Sequence, residues 1–312
     1  MRDRDKISFA TAGHIITDMP ITDRSSTAAL RPLASQAPAR KGAGAIAALL
    51  CGMVVIAGCQ TGQDIAAIQA ISLDKNQGLE QNIGSLTATV NANPSDPEGY
   101  NVRGTAYGRS GEYQNALADF NRAIQLDPNF YQAYANRALI YRQINDPGKA
   151  AADYNRAIQI NPSYASAYIG LGNVYRVAGR NREALGYFQK AIDLGTSDPR
   201  AYHNRGLLYQ IDGQHKLAIE DFSRAISLQP NAAEPYSARG VSYLATGDDD
   251  NAFEDINTAL RLDDTKAEYW TNQALAYERK GDRSKAFRSY ARAAQLNPDY
   301  RPAKDGMART RV

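Results

Sequence analysis

The sequence predicts an all-α solenoid of antiparallel helix pairs, placed behind an export leader. Three observations predict it. Alanines recur every 34 residues at Ala116, Ala150, Ala184, Ala218, Ala252 and Ala286, and again at Ala123, Ala157, Ala191, Ala225, Ala259 and Ala293. Tyrosines keep the same step at Tyr107, Tyr141, Tyr175, Tyr209, Tyr243 and Tyr277. An uncharged apolar run, Gly42 to Gly58, closes on Cys59. A fixed period in this range marks a repeat architecture, in which each unit buries its faces only against its neighbours.

Composition narrows the function classes. Of the 36 Lys and Arg and 33 Asp and Glu, seven and four lie in residues 1–58, which leaves 29 of each sign from Cys59 onward. A balanced body argues against a broad nucleic-acid-binding surface. Two Cys build neither a disulfide framework nor a four-cysteine zinc site.

The leader comes first in the chain. Arg40 and Lys41 stand directly before the 17-residue apolar run, the layout of a secretory signal peptide. The run is diluted by Gly42, Gly44, Gly52 and Gly58 and falls short of the ~20 strongly apolar residues of a spanning helix. A permanent transmembrane anchor is the alternative. Ile56-Ala57-Gly58-Cys59 resembles a bacterial lipobox, with an aliphatic residue, two small residues and the cysteine. The thiol must lie at the membrane to receive its lipid, and the peptidase that cuts before it needs small side chains there. Leu50 before Cys51 fails that requirement. A plain signal peptide with a chance cysteine is the competing reading. The leader is therefore expected over 1–58, with Met19 as an alternative start, and a lipidated linker over 59–77. Gln60, in the place where Asp tends to retain such proteins at the inner membrane, implies the bacterial outer membrane, facing the periplasm.

The array follows. Residues 78–96 read as a capping helix, with a shorter helix expected at Asp64 to Leu73. Six units then fit without a gap: 97–130, 131–164, 165–198, 199–232, 233–266 and 267–300. Unit positions 4, 8 and 11 share one face of a first helix, and positions 20, 24 and 27 share one face of a second. Glycine at 111, 179, 213, 247 and 281, and Asn145 in the second unit, ends the first helix in the left-handed conformation. Pro128, Pro162, Pro230 and Pro298 stop the second from running on. Position 7 is Arg103, Arg137, Arg205 and Arg239 where position 23 is Asp119, Asp153, Asp221 and Asp255. In units three and six the pair becomes Leu171/Tyr187 and Gln273/Ser289. Arg and Asp appear and disappear together, which predicts an ion pair between the two helices of each such unit. Residues 301–312 form a short C-terminal cap. So short a cap leaves apolar surface at the array end, which a homodimer would cover.

Position 4 is aromatic throughout (Tyr100, Tyr134, Tyr168, Tyr202, Tyr236, Trp270), position 8 is Gly or Ala, and position 24 is bulky. With Tyr at 11, Ala at 20 and 27 and Pro near the end, the unit strongly resembles the tetratricopeptide repeat. It departs at Thr196 and Asp264, where proline is missing, and at position 7, where Arg replaces the usual Leu. The resemblance implies a right-handed superhelix whose inner groove is lined by first helices at positions 2, 5, 6, 9, 12 and 13. The groove residues carried over onto this sequence are Asn136, Arg142, Asn173, Arg176, Arg200, His203, Asn204, Asn272 and Arg279. Asparagine can bond a peptide backbone and arginine can fork onto a carboxylate. Only unit four, with Arg200 and Asn204, offers both residues of the family's carboxylate clamp.

No catalytic, cofactor-binding or metal-binding motif is visible, so the chain reads as a non-enzyme. Asp248, Asp249 and Asp250 suit the start of a helix better than a calcium loop, which needs spaced acidic ligands and a bidentate Glu. The expectation is a lipid-anchored periplasmic adaptor that binds proteins or extended peptides in cell-envelope maintenance, such as recruitment of peptidoglycan hydrolases or a protease. A pilotin or outer-membrane assembly lipoprotein is the alternative.

Overall fold

A computed structural model describes residues 79–311. The leader 1–58, Met19, Cys59, the linker and the helix expected at Asp64–Leu73 lie outside the described residues. Within them stand α1 (Leu79–Ala92), α2 (Pro97–Ser110), α3 (Tyr113–Leu126), α4 (Tyr131–Gln143), α5 (Pro147–Ile160), α6 (Ala165–Val177) and α7 (Asn181–Asp193). They continue as α8 (Pro199–Ile211), α9 (His215–Leu228), α10 (Ala233–Thr246), α11 (Asp249–Leu262), α12 (Ala267–Arg279), α13 (Arg283–Leu296) and α14 (Arg301–Thr310). No strand occurs among the described residues. From α2 to α13, even numbers are first helices and odd numbers second helices. α1 takes the place of a preceding second helix, and α14 that of a following first helix. None of these helices is long and apolar enough to cross a membrane.

The helix ends follow from local chemistry. Asp96 caps α2, its carboxylate accepting from Glu98 N–H at 3.0 Å and Gly99 N–H at 3.2 Å, with Pro97 in the first turn. At the other end Gly111 has φ 82° and the Glu112 N–H donates to the Tyr107 carbonyl at 2.9 Å. Asn145 does the same work at φ 59°. Unit three, which lacks the proline, ends α7 with Gly195 at φ 74° instead.

Packing comes from two small-residue ladders. All twelve periodic alanines are fully buried, so paired backbones approach closely. Position 24 fills the space between them, and it does so in two ways. Gly104, Gly172 and Gly206 leave room for rings of their own unit: an added Cβ would lie 2.9 Å from Phe120, 2.7 Å from Phe188 and 2.8 Å from Phe222. Where position 24 is Tyr154 or Tyr290, the same-unit residue is Ala138 or Ala274, and the glycine has moved to position 6 of the next element. There a Cβ on Gly170 would lie 2.2 Å from Tyr154, and one on Gly306 2.4 Å from Tyr290.

Polar nodes join three helices at a time. Arg103, Arg137, Arg205 and Arg239 each fork onto the Asp of their own unit, at 2.6–2.8 Å per bond. The remaining guanidinium nitrogen of Arg137 donates to Asn121 at 2.7 Å, and that of Arg239 to Ser223 at 2.8 Å, both on the preceding second helix. Unit six keeps a neutral version: Ser289 donates to Gln273 Oε1 and Gln273 donates to Asn257. The position-4 aromatics fasten the turns: Tyr100, Tyr134 and Tyr168 donate to the carbonyls of Pro94, Pro128 and Pro162. Trp270 Nε1 reaches the Asp264 carbonyl at 2.8 Å, so that contact survives without the proline.

Candidate functional site

Successive first helices touch one another along the array, whereas the second helices do not. The first helices therefore form the inner row of a curved stack. Charge along that row is uneven. The sequences of α4, α6 and α8 contain no acidic residue. Acids return on both sides, with Glu98 in α2, Glu234 in α10, and Glu268 and Glu278 in α12. Arg137 and Arg205 are consumed by their nodes. The same three helices also carry Arg142, Arg176 and Arg200, the last of them paired with Asp198 at the start of α8.

The nine sequence-derived groove residues separate into two groups. Three act as ties between elements. The Asn136 amide donates to Asn101 Oδ1 at 2.9 Å, and the Asn272 amide to Ser237 Oγ at 2.9 Å, each joining adjacent first helices. Arg279 pairs with Asp249 of α11 at 2.6 Å. The other six gather on α4, α6 and α8. Asn173 is buried and accepts from Arg176 Nε at 3.4 Å; Asn204 is buried and donates to the Arg200 carbonyl at 2.8 Å. Arg200 is exposed and forks onto Asp198, with bonds of 2.9 and 2.5 Å. That pairing holds the Arg200 guanidinium above its usual range, and it outweighs the opposing effect of burial to hold the Asp198 carboxyl below.

His203 faces the Phe222 ring at 5.6 Å between centroids, and its Nδ1 is shielded with no hydrogen-bond partner. Burial first, and the neighbouring Arg176 charge second, push its pKa down to about 4, so it is neutral at pH 7.

Two sets of residues escaped the sequence reading. Tyr154 looked like ordinary core, yet its ring leans over Gly170, and burial first, against the nearby Arg142 charge, pushes its hydroxyl pKa up. The glycine at 170 beneath it was the available signal. Leu139, Val177 and Ile211 are 40%, 63% and 55% exposed at groove positions 9 and 13 of units two to four. They stand beside the arginines, where only polar side chains had been considered. Among the described residues no group of three or more His, Cys, Asp and Glu could hold a metal ion.

Tetratricopeptide-repeat family profiles match residues 97–130, 131–164, 167–202, 199–232, 233–266 and 267–300. The chain belongs to the tetratricopeptide repeat family. Its fold is that of a scaffold for protein or peptide partners. Among solved structures it is similar to YrrB, described as a tetratricopeptide protein with an unusual peptide-binding site, at 28% identity and a TM-score of 0.51, over 61% of this chain and 97% of that one. It is also similar to PilF of Pseudomonas aeruginosa, at 18% identity and a TM-score of 0.63, over 68% of this chain and 97% of that one. The Cut9–Hcn1 assembly of the APC/C gives 21% identity and a TM-score of 0.66 over 73% of this chain, which spans 45% of that longer one. The last two likenesses establish the fold alone. Among curated proteins, none is significantly similar in sequence.

Proposed function

We propose that this tetratricopeptide array is a lipid-anchored envelope adaptor that holds extended segments of partner proteins in the groove of α4, α6 and α8. One observation carries the groove. Three consecutive first helices lack any acid, carry Arg142, Arg176 and Arg200, and expose Leu139, Val177 and Ile211 between them. Exposed apolar side chains interleaved with arginines on a row of helices without acids suit a partner better than bulk water.

The envelope address rests on the leader. Lipid on Cys59 would hold the protein at the membrane, since acyl chains contribute about 0.8 kcal/mol per buried CH₂ and two chains anchor stably. Gln60 directs the anchor to the outer membrane, with the array in the periplasm. Lipoprotein signal and array together resemble the outer-membrane adaptor lipoprotein NlpI in architecture. Partners of the same kind, a protease or peptidoglycan hydrolases, follow from that resemblance.

The test is an affinity capture from crosslinked, detergent-solubilised envelopes. It compares the native protein with one in which Arg142, Arg176, Arg200 and Asn204 are replaced. A protease or hydrolase recovered with the native chain and lost with the variant supports the adaptor. A secretin or barrel-assembly subunit in its place would substitute the pilotin reading. Equal recovery by both proteins would remove the groove from the binding role. In parallel, Cys59→Ser should shift the protein from the membrane to the soluble fraction, and unchanged membrane association would contradict the lipid anchor.

A further inference from the structure

The even charge balance from Cys59 onward hides a segregation. Residues 279–312 hold ten Lys and Arg against three Asp, and the sequence of α13 contains no acid. The same end of the array also changes its polar node. In units one, two and five the position-7 guanidinium lies 5.5–5.9 Å from the ring centroids at positions 4 and 11. In unit four it lies 5.6 Å from the position-11 ring. Unit three sets Tyr187 against Tyr175, with centroids 5.1 Å apart. Five units thus fill the space beside the position-11 ring from within.

Unit six does not. Gln273 is shorter than arginine and Ser289 shorter than aspartate, and they bond to Asn257 and to one another. A hollow of about 230 Å³ opens beside them, walled by Trp270 and Tyr277 and rimmed by Lys285 and Arg288. Lys285 is not the difference. Asp282 holds it at 2.7 Å over the Tyr277 ring, as Asp146 holds Lys149 over Tyr141 in unit two. Arg288 is the difference, because position 22 is Ala118, Ala152, Gly186, Glu220 and Glu254 in the earlier units. Its side chain is exposed and donates to the neutral Ser284 hydroxyl at 3.0 Å. Asp282 feels the Arg288 charge but is already engaged by Lys285. On the far side of Arg288, Phe287 and Arg311 line a second hollow of about 330 Å³. None of these residues holds a groove position, so the place is separate from the inner row.

We propose that unit six is a second docking point, for an acidic side chain of a partner protein. The carboxylate pairs with Arg288, and its methylene stem lies between Trp270 and Tyr277. Four other units complete an arginine–carboxylate pair from within, whereas unit six keeps an arginine and supplies no carboxylate. Charge complementarity over a basic array end attracts an acid, and a guanidinium fork orients it. The two aromatic walls suit the carbon stem of Glu or Asp, and Phe287 suits an apolar neighbour in the same segment.

The experiment selects a displayed peptide library on the full chain in detergent, with counter-selection on Gln273→Arg/Ser289→Asp. That variant restores the node of the other units and closes the hollow from within, so its melting temperature should hold or rise. Peptides that bind the inner groove bind both proteins and are removed. The expected pool carries Asp or Glu beside an apolar residue. A selected peptide should bind about tenfold more tightly than its Glu→Gln analogue, and Arg288→Gln should abolish that preference. Arg288 is exposed, so this second variant keeps the test open if the filled one does not fold. A pool without acids would overturn the proposal, as would a preference that survives Arg288→Gln. An empty pool after counter-selection would overturn it too. Co-sedimentation with anionic phospholipid vesicles, lost on Arg288→Gln and found without any acidic peptide, would give the site to a lipid headgroup and overturn the protein partner.

Discussion

The phenol ring of Tyr154 occupies the volume that a side chain at Gly170 would need: an added Cβ would lie 2.2 Å from Tyr154 Cζ and 2.7 Å from its hydroxyl. Gly170→Ala should therefore destabilise the chain by about 1–3 kcal/mol through overpacking. Tyr154→Leu should relieve most of that cost in the double variant. Equilibrium denaturation of the two single variants and the pair checks it. Additive losses would show that the residues do not share the space.

Arg137 and Asp153 form two bonds of 2.7 Å with side chains only 18% and 10% exposed. Arg137→Leu strands a nearly buried carboxylate and should cost about 2–4 kcal/mol, between a surface pair and a fully buried one. Arg137→Leu with Asp153→Tyr copies the pair that unit three uses naturally, Leu171 and Tyr187, and should recover much of the loss. The urea midpoint measures both. An unchanged midpoint in Arg137→Leu would remove the pair from any structural role.

His203 makes stability depend on pH. The unfolded imidazole binds its proton near pH 6.5, whereas the folded one does so only near 4, held down by burial and Arg176. Between those values the unfolded chain carries more protons, so stability falls as pH drops. The contribution is fully present above about pH 6.5 and is reduced by about 2 kcal/mol at pH 5. His203→Leu should flatten the stability profile between pH 7.5 and 5. A slope equal to that of the native chain would place the titration elsewhere.

At the C-terminal cap, Arg309 joins α14 to α12 through Glu278 and to α13 through the Tyr290 hydroxyl. The Arg309 side chain is half exposed, so its charge contributes little, and the loss on Arg309→Ala should stay near 1 kcal/mol. Hydrogen exchange should quicken in α14 and leave α2 to α5 unchanged, because each repeat feels only its neighbours. Uniform acceleration would show that the array unfolds as one unit.

Most of the fold was legible because a 34-residue period repeats the same burial problem six times. The alanine ladders, the left-handed Asn145 and the Arg–Asp pairs all follow from residue type and position. The site was less legible. Asn136 and Asn272 have the chemistry of ligand contacts, but neighbouring first helices stand close enough to use their amides internally. That spacing depends on curvature, which no single unit reveals. Tyr154 was hidden for the opposite reason. At position 24 a tyrosine and a phenylalanine look equivalent until Gly170, 16 residues later, shows where the ring leans.

The central claim is that partners bind the inner row of units two to four. Its most direct test places a photoreactive side chain in the living cell at Val177 or Ile211 on that row, and at Leu262 on a second helix. The groove reading predicts a discrete crosslinked partner from Val177 and Ile211, lost when Arg142 and Arg200 are replaced. A partner crosslinked from Leu262 and from neither groove position would contradict it.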